Sequence, residues 1–109
     1  MLPYQTIKQR KAFVAATRQG KRHASKTLVV QFIPADDTLQ LGITVTKKVG
    51  NAPVRNRIKR QLRAAFTEAA KTASLPNGSY VIIARNGAYA APYARLLQDL
   101  RYCIRKVTA

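Results

Sequence analysis

The sequence is poor in acid. Twenty Lys and Arg stand against four Asp and Glu in 109 residues, a formal charge of +16. Residues 1–35 contain no acid at all. A field of one sign repels itself and attracts polyanions, so nucleic acid and anionic membrane are the partner classes it points to. Cysteine is nearly absent: Cys103 stands alone, which excludes an internal disulfide, is compatible with a reducing cytosol, and suits a small apolar core residue. The single histidine, His23, rules out a histidine pair for acid–base cleavage. No apolar run approaches the roughly 18 residues of a spanning helix. Lys8, Arg10 and Lys11 interrupt the place where a secretory signal keeps its apolar core, so export is not expected. The acid-free start resembles a transit peptide, but the same bias runs through the rest of the chain and does not discriminate.

The remaining candidates for chemistry are few. Asp36 and Asp37 are adjacent and read as a solvated turn. Glu68 reads as a surface partner of Lys71, and Asp99 lies among arginines. No Cys/His cluster, phosphate-cradling glycine loop or nucleophile elbow is present. The protein alone is therefore expected to hold no catalytic residue and no metal.

What is present is a foldable cation. Hydrophobic residues make up 47% of the chain, above what a disordered basic tail carries. The length suits one domain spanning 1–109. Thr6 to Gln9 has capping-box spacing and Gly20 is a stop, which together predict a helix over about 7–19. TLVVQFI at 27–33 reads as a strand ended by Pro34. Residues 39–46 alternate, with Leu39, Leu41, Ile43 and Val45 on one face and Gln40, Gly42, Thr44 and Thr46 on the other. After the Gly50 to Pro53 boundary a long helix begins, its stripe being Val54, Ile58, Leu62, Ala65, Phe66 and Ala69. Pro76-Asn77-Gly78 is a turn before SYVIIA at 79–84, an unbroken apolar run that suits a strand covered on both faces. Asn86-Gly87 closes it. From about residue 92, Leu96, Leu97, Leu100, Cys103, Ile104 and Val107 mark a last helix. The order is α-β-β-α-β-α, a mixed α/β (α+β) chain with no internal repeat.

The densest charge lies in the long helix and its approach. Lys47, Lys48, Arg55, Arg57, Lys59, Arg60 and Arg63 place seven cations in 17 residues, with no acid until Glu68. An ordinary solvated face mixes both signs; this one does not, and a helix N-terminus adds free N–H groups and partial positive charge. Charge cannot separate RNA from DNA. A half-polar sheet with Phe13 and Tyr80 near it would suit stacking on single-stranded RNA, while the alternative for Phe13 is the core.

The run GITVTKKVGNAPVRNRIKRQLRAAF at 42–66, centred on Arg55-Asn56-Arg57, resembles the signature of the bacterial ribonuclease P protein family. The stretch from Lys8 to Phe13 with Gly20, the strand TLVVQF and SYVIIAR at 79–85 extend the resemblance over nearly the whole chain. It implies a two-layer sandwich of the ribosomal protein S5 domain 2-like type with a left-handed βαβ crossover, against the usual hand. It implies a cytoplasmic protein subunit, monomeric on its own, whose partners are a catalytic RNA and precursor tRNA. The RNA, using Mg²⁺, would remove the tRNA 5′ leader. Carried over, Lys47, Lys48, Asn51, Arg55, Asn56, Arg57, Lys59, Arg60 and Arg63 would face RNA, and Phe13, Gln31 and Arg85 would line a leader-binding cleft. Thr17 stands where many members have a second aromatic, and Pro53 replaces a usual aliphatic residue. The alternative is a ribosomal or general structural RNA-binding protein; a membrane-surface role fits the scattered apolar stripes poorly.

Overall fold

The computed structural model describes residues 4–6, 21–35 and 38–109. The helix expected over 7–19, with Phe13 and Thr17, lies outside the described residues, as do Asp36 and Asp37. Five strands form one sheet in the order β1-β4-β5-β3-β2. They are β1 (Gln5–Thr6), β2 (Lys21–Ala24), β3 (Leu28–Pro34), β4 (Leu39–Thr44) and β5 (Gly78–Ala84). Helix α1 (Ala52–Thr72) connects β4 to β5, which run parallel side by side. A short 3₁₀ turn, Asn86–Ala88, leads into α2 (Tyr93–Thr108). The expected order holds from β3 onward, with two short strands, β1 and β2, added at the edges.

Alternation decides the faces. Leu28, Val30 and Phe32 of β3, Leu41 of β4, and Tyr80, Ile82 and Ala84 of β5 form one core with the buried sides of both helices. On α1 that side is Ile58, Leu62, Ala65, Phe66 and Ala69, the residues the helical period selects, with Val54 half-buried at the start. The two helices contact each other; α1 lies against β4, and α2 against β3 and β2. Val29, Gln31 and Val81, on the opposite face of the central strands, are buried too. The unbroken SYVIIA run is thus explained by cover on both faces of β5.

Three of the sequence expectations change. Tyr80 is not on a nucleic-acid surface: it is fully buried, its hydroxyl donates to the Pro76 carbonyl at 2.7 Å, and its ring packs on Phe32 and Phe66. Burial raises its pKa. Asp99 is no surface charge but a buried one, accepting from the Thr27 hydroxyl at 2.6 Å and paired with Arg95 at 3.2 Å. A carboxylate can be taken out of water only with such partners, and this pair ties α2 to the start of β3. Cys103 is buried as expected, and desolvation pushes its thiol pKa up. Glu68 is exposed and makes no ion pair with Lys71; the one ion pair among the described residues is Arg95–Asp99.

At Gly78 the backbone requires glycine. Its φ is +154°, and a Cβ there would stand 2.3 Å from the Ile33 carbonyl oxygen. That close approach lets β5 start level with both neighbours, paired with Pro34 on β3 and Leu39 on β4.

Candidate nucleic-acid interface

The approach to α1 is fixed by two buried valines, Val45 and Val49, which leave Thr46, Lys47 and Lys48 exposed on the turn between them. The Val49 N–H donates to the Thr46 carbonyl at 3.1 Å and closes that turn. Gly50 follows at a tight spot, where a Cβ would come within 2.7 Å of Val54 and 3.5 Å of Tyr89. Asn51 then caps the helix: its backbone is extended, and its side-chain oxygen accepts from the Val54 N–H at 3.1 Å. The helix therefore begins one residue before Pro53, which sits in the first turn where its missing N–H costs nothing.

No acid occupies that first turn. Asn56, Arg60 and Arg63 are exposed, and Arg55, Arg57 and Lys59 are half-buried along the edges of the apolar stripe. Arg57 donates from Nη2 to the Tyr89 carbonyl at 2.6 Å, which fastens the loop after β5 to the helix. Arg55 Nε is buried without a hydrogen-bond partner. All nine residues expected to face RNA thus lie on one continuous segment, Lys47 to Arg63; one of them, Asn51, also has the structural task of capping.

Gln31 and Arg85 belong to a second surface. Gln31 lies on the face of β3 opposite the helices, beside Val81 on β5 and Arg22 on β2. It is 2% exposed, so little of its own surface is offered. Arg85 follows β5 and is exposed, with Nη1 donating to the Ser25 carbonyl at 2.8 Å. Two residues, one beside each surface, escape sequence reasoning. Arg22 is exposed next to Gln31, but KRHA is too short and too charged to be read as a strand. Tyr89, 55% exposed beside the α1 cations, sits in a run without period, and nothing local signals its contact with Gly50. A cavity of about 400 Å³ lies elsewhere, between the last turns of α1 and the outer side of α2, lined by Thr72, Leu75, Leu97 and Arg101 among others. Among the described residues no three of His, Cys, Asp and Glu gather as a metal site.

Fold and site together define a class: a small basic α/β domain with an acid-free helix start flanked by lysines and arginines. The chain belongs to the Ribonuclease P family, whose model matches residues 1–108. It is 39% identical over 102 residues to the ribonuclease P protein component of Gluconacetobacter diazotrophicus, covering 92% of this chain and 88% of that one. It is 38% identical over 104 residues to the component of Shouchella clausii, covering 94% and 84%. The Staphylococcus aureus RNase P protein superposes with a TM-score of 0.82 at 30% identity, over 95% of this chain and 97% of that chain. The RNase P protein of Thermotoga maritima shares the fold at a TM-score of 0.82 and 23% identity, over 94% and 97%. No helix among the described residues is long and apolar enough to cross a membrane.

Proposed function

We propose that this chain is the protein subunit of ribonuclease P, an RNA-based endoribonuclease that removes the 5′ leader from precursor tRNA in the cytoplasm. The observation that carries the reading is the cationic segment Lys47 to Arg63, free of acid and mounted on a capped helix start, in a member of this family. Two RNAs brought together repel through their phosphates. Cations fixed between them offset that repulsion without having to be gathered from solution.

In this account the parts divide the work. Helix N–H groups and Lys47 and Lys48 hold phosphates at the entry to α1. Arg55, Arg57, Arg60 and Arg63 present planar forks that match phosphate oxygens. Gln31 and Arg85, with Phe13, form the side that meets the leader. The protein supplies no acid, base or nucleophile. Hydrolysis belongs to the catalytic RNA and the Mg²⁺ it uses, and the protein acts as a monomeric accessory that favours binding of substrate and metal.

Leader discrimination tests this. The protein joined to its RNA partner should hold precursor tRNA more tightly than mature tRNA, measured as dissociation constants at one salt concentration. Equal affinity for the two would instead fit a ribosomal or general structural RNA-binding protein.

A further inference from the structure

The described residues expose two large hydrophobic side chains, Tyr89 at 55% and Tyr102 at 41%. Tyr89 belongs to the α1 site. Tyr102 does not. It lies on α2, the helix over β3 and β2, and β2 is three strands from β4 in the sheet. At about 4.8 Å per strand that is roughly 14 Å across the fold, so Tyr102 marks a different surface.

Its surroundings have the chemistry of a nucleic-acid contact. The His23 ring from β2 meets Tyr102 edge-on with centroids 5.3 Å apart. Lys106, one turn further along α2, places its ammonium 5.5 Å from the ring centre. Lys21 faces the same side of β2 as His23 and donates from Nζ to the Ala109 carbonyl at 3.1 Å, which fixes the end of α2 against the strand. Arg105 is exposed on the next flank of the helix. The only acid on α2 is Asp99, buried and already neutralised by Arg95, so among the described side chains of β2 and α2 no exposed carboxylate stands beside Lys106 and Arg105. A half-exposed aromatic ring braced by one ring and one cation offers a base a stacking surface and its phosphates a partner.

We infer that the β2–α2 face, centred on Tyr102 and Lys106, is a further RNA-binding surface, apart from the α1 segment and the side of Gln31 and Arg85, that takes an unpaired strand by stacking one base on Tyr102. The charge pattern would equally draw an anionic lipid surface. A lone tyrosine among cations is nevertheless a small apolar anchor for an interface, whereas base stacking needs only one ring. The inference goes beyond the proposed function: the α1 segment engages RNA whether or not this face does.

The chain has no tryptophan, so Tyr102→Trp places a single fluorophore at the site. The experiment titrates a single-stranded RNA of about ten nucleotides, long enough for one binding face, into four variants of the 109-residue chain, each with and without Arg57→Ala to weaken the α1 site. Quenching of the tryptophan emission is expected in both backgrounds. Tyr102→Ala should weaken binding about five- to a hundredfold in the Arg57→Ala background, while Tyr102→Phe keeps it, since stacking uses the ring and not the hydroxyl. Lys106→Ala should lower the log–log salt slope by about 1. Unquenched emission, with RNA binding lost on Arg57→Ala and indifferent to Tyr102, would overturn the inference and leave the α1 reading standing. No RNA binding by any variant would overturn both. Quenching by phosphatidylserine vesicles and not by RNA would assign the face to a membrane instead.

Discussion

Arg57→Ala should weaken binding of the catalytic RNA about five- to a hundredfold, the loss of one forked phosphate or base contact of about 1–3 kcal/mol. The same substitution should lower the melting temperature by only a few degrees. Arg57 is off the buried stripe of α1, and what it gives the fold is one exposed hydrogen bond to the Tyr89 carbonyl. Such a bond contributes about 1 kcal/mol net. Calorimetry and filter binding on the same preparation separate the two effects. A melting temperature that falls steeply while RNA affinity in the surviving folded fraction is unchanged would make Arg57 a clamp on the loop after β5 and nothing more.

The opposite profile is expected of Phe66→Ala, about two and a half turns further along the same helix. Phe66 is fully buried and is the centre of an aromatic chain: Tyr4 meets it edge-on with centroids at 5.3 Å, and Tyr80 lies at 5.4 Å. Tyr4 precedes the edge strand β1, so the ring joins the edge of the sheet to its middle through the helix. Truncation leaves a cavity in a core of this size and costs about 3–5 kcal/mol. For a chain of this length that corresponds to a drop of about 12–20 °C in melting temperature. RNA affinity of the fraction still folded at low temperature should change little, because Phe66 lies on the buried stripe of α1 and the cations expected to face RNA lie off it. The two substitutions together separate what holds α1 in place from what α1 presents.

That separation is legible in the sequence, because both jobs are written on one helix with one period. Val54, Ile58 and Leu62 recur at the spacing of a docking face, and the cations fall between them. The boundary of the helix is legible less sharply: Pro53 signals a start, but the cap is Asn51, whose role depends on a hydrogen bond to Val54 that spacing only permits. Long-range pairings are where sequence reasoning fails. Asp99 reads as one more surface charge until Thr27, 72 residues away, is seen to donate to it. Tyr80 has the composition of a stacking residue, yet it occupies the buried face of the most central strand. The two edge strands are invisible for a physical reason: β1 is two residues long and β2 is mostly charge, so neither can bury enough apolar surface to advertise itself. The expected RNA-facing segment needs no such pairing to be found, since Lys47 to Arg63 is contiguous in the chain.

The most direct test of the account is cleavage of precursor tRNA by the cognate ribonuclease P RNA, measured across a magnesium titration with and without the purified protein. If fixed cations on α1 take over part of the screening between catalytic RNA and substrate, the protein should move the titration midpoint to lower magnesium, and Arg57→Ala should give back part of that shift. An unchanged magnesium curve at every protein concentration would contradict it.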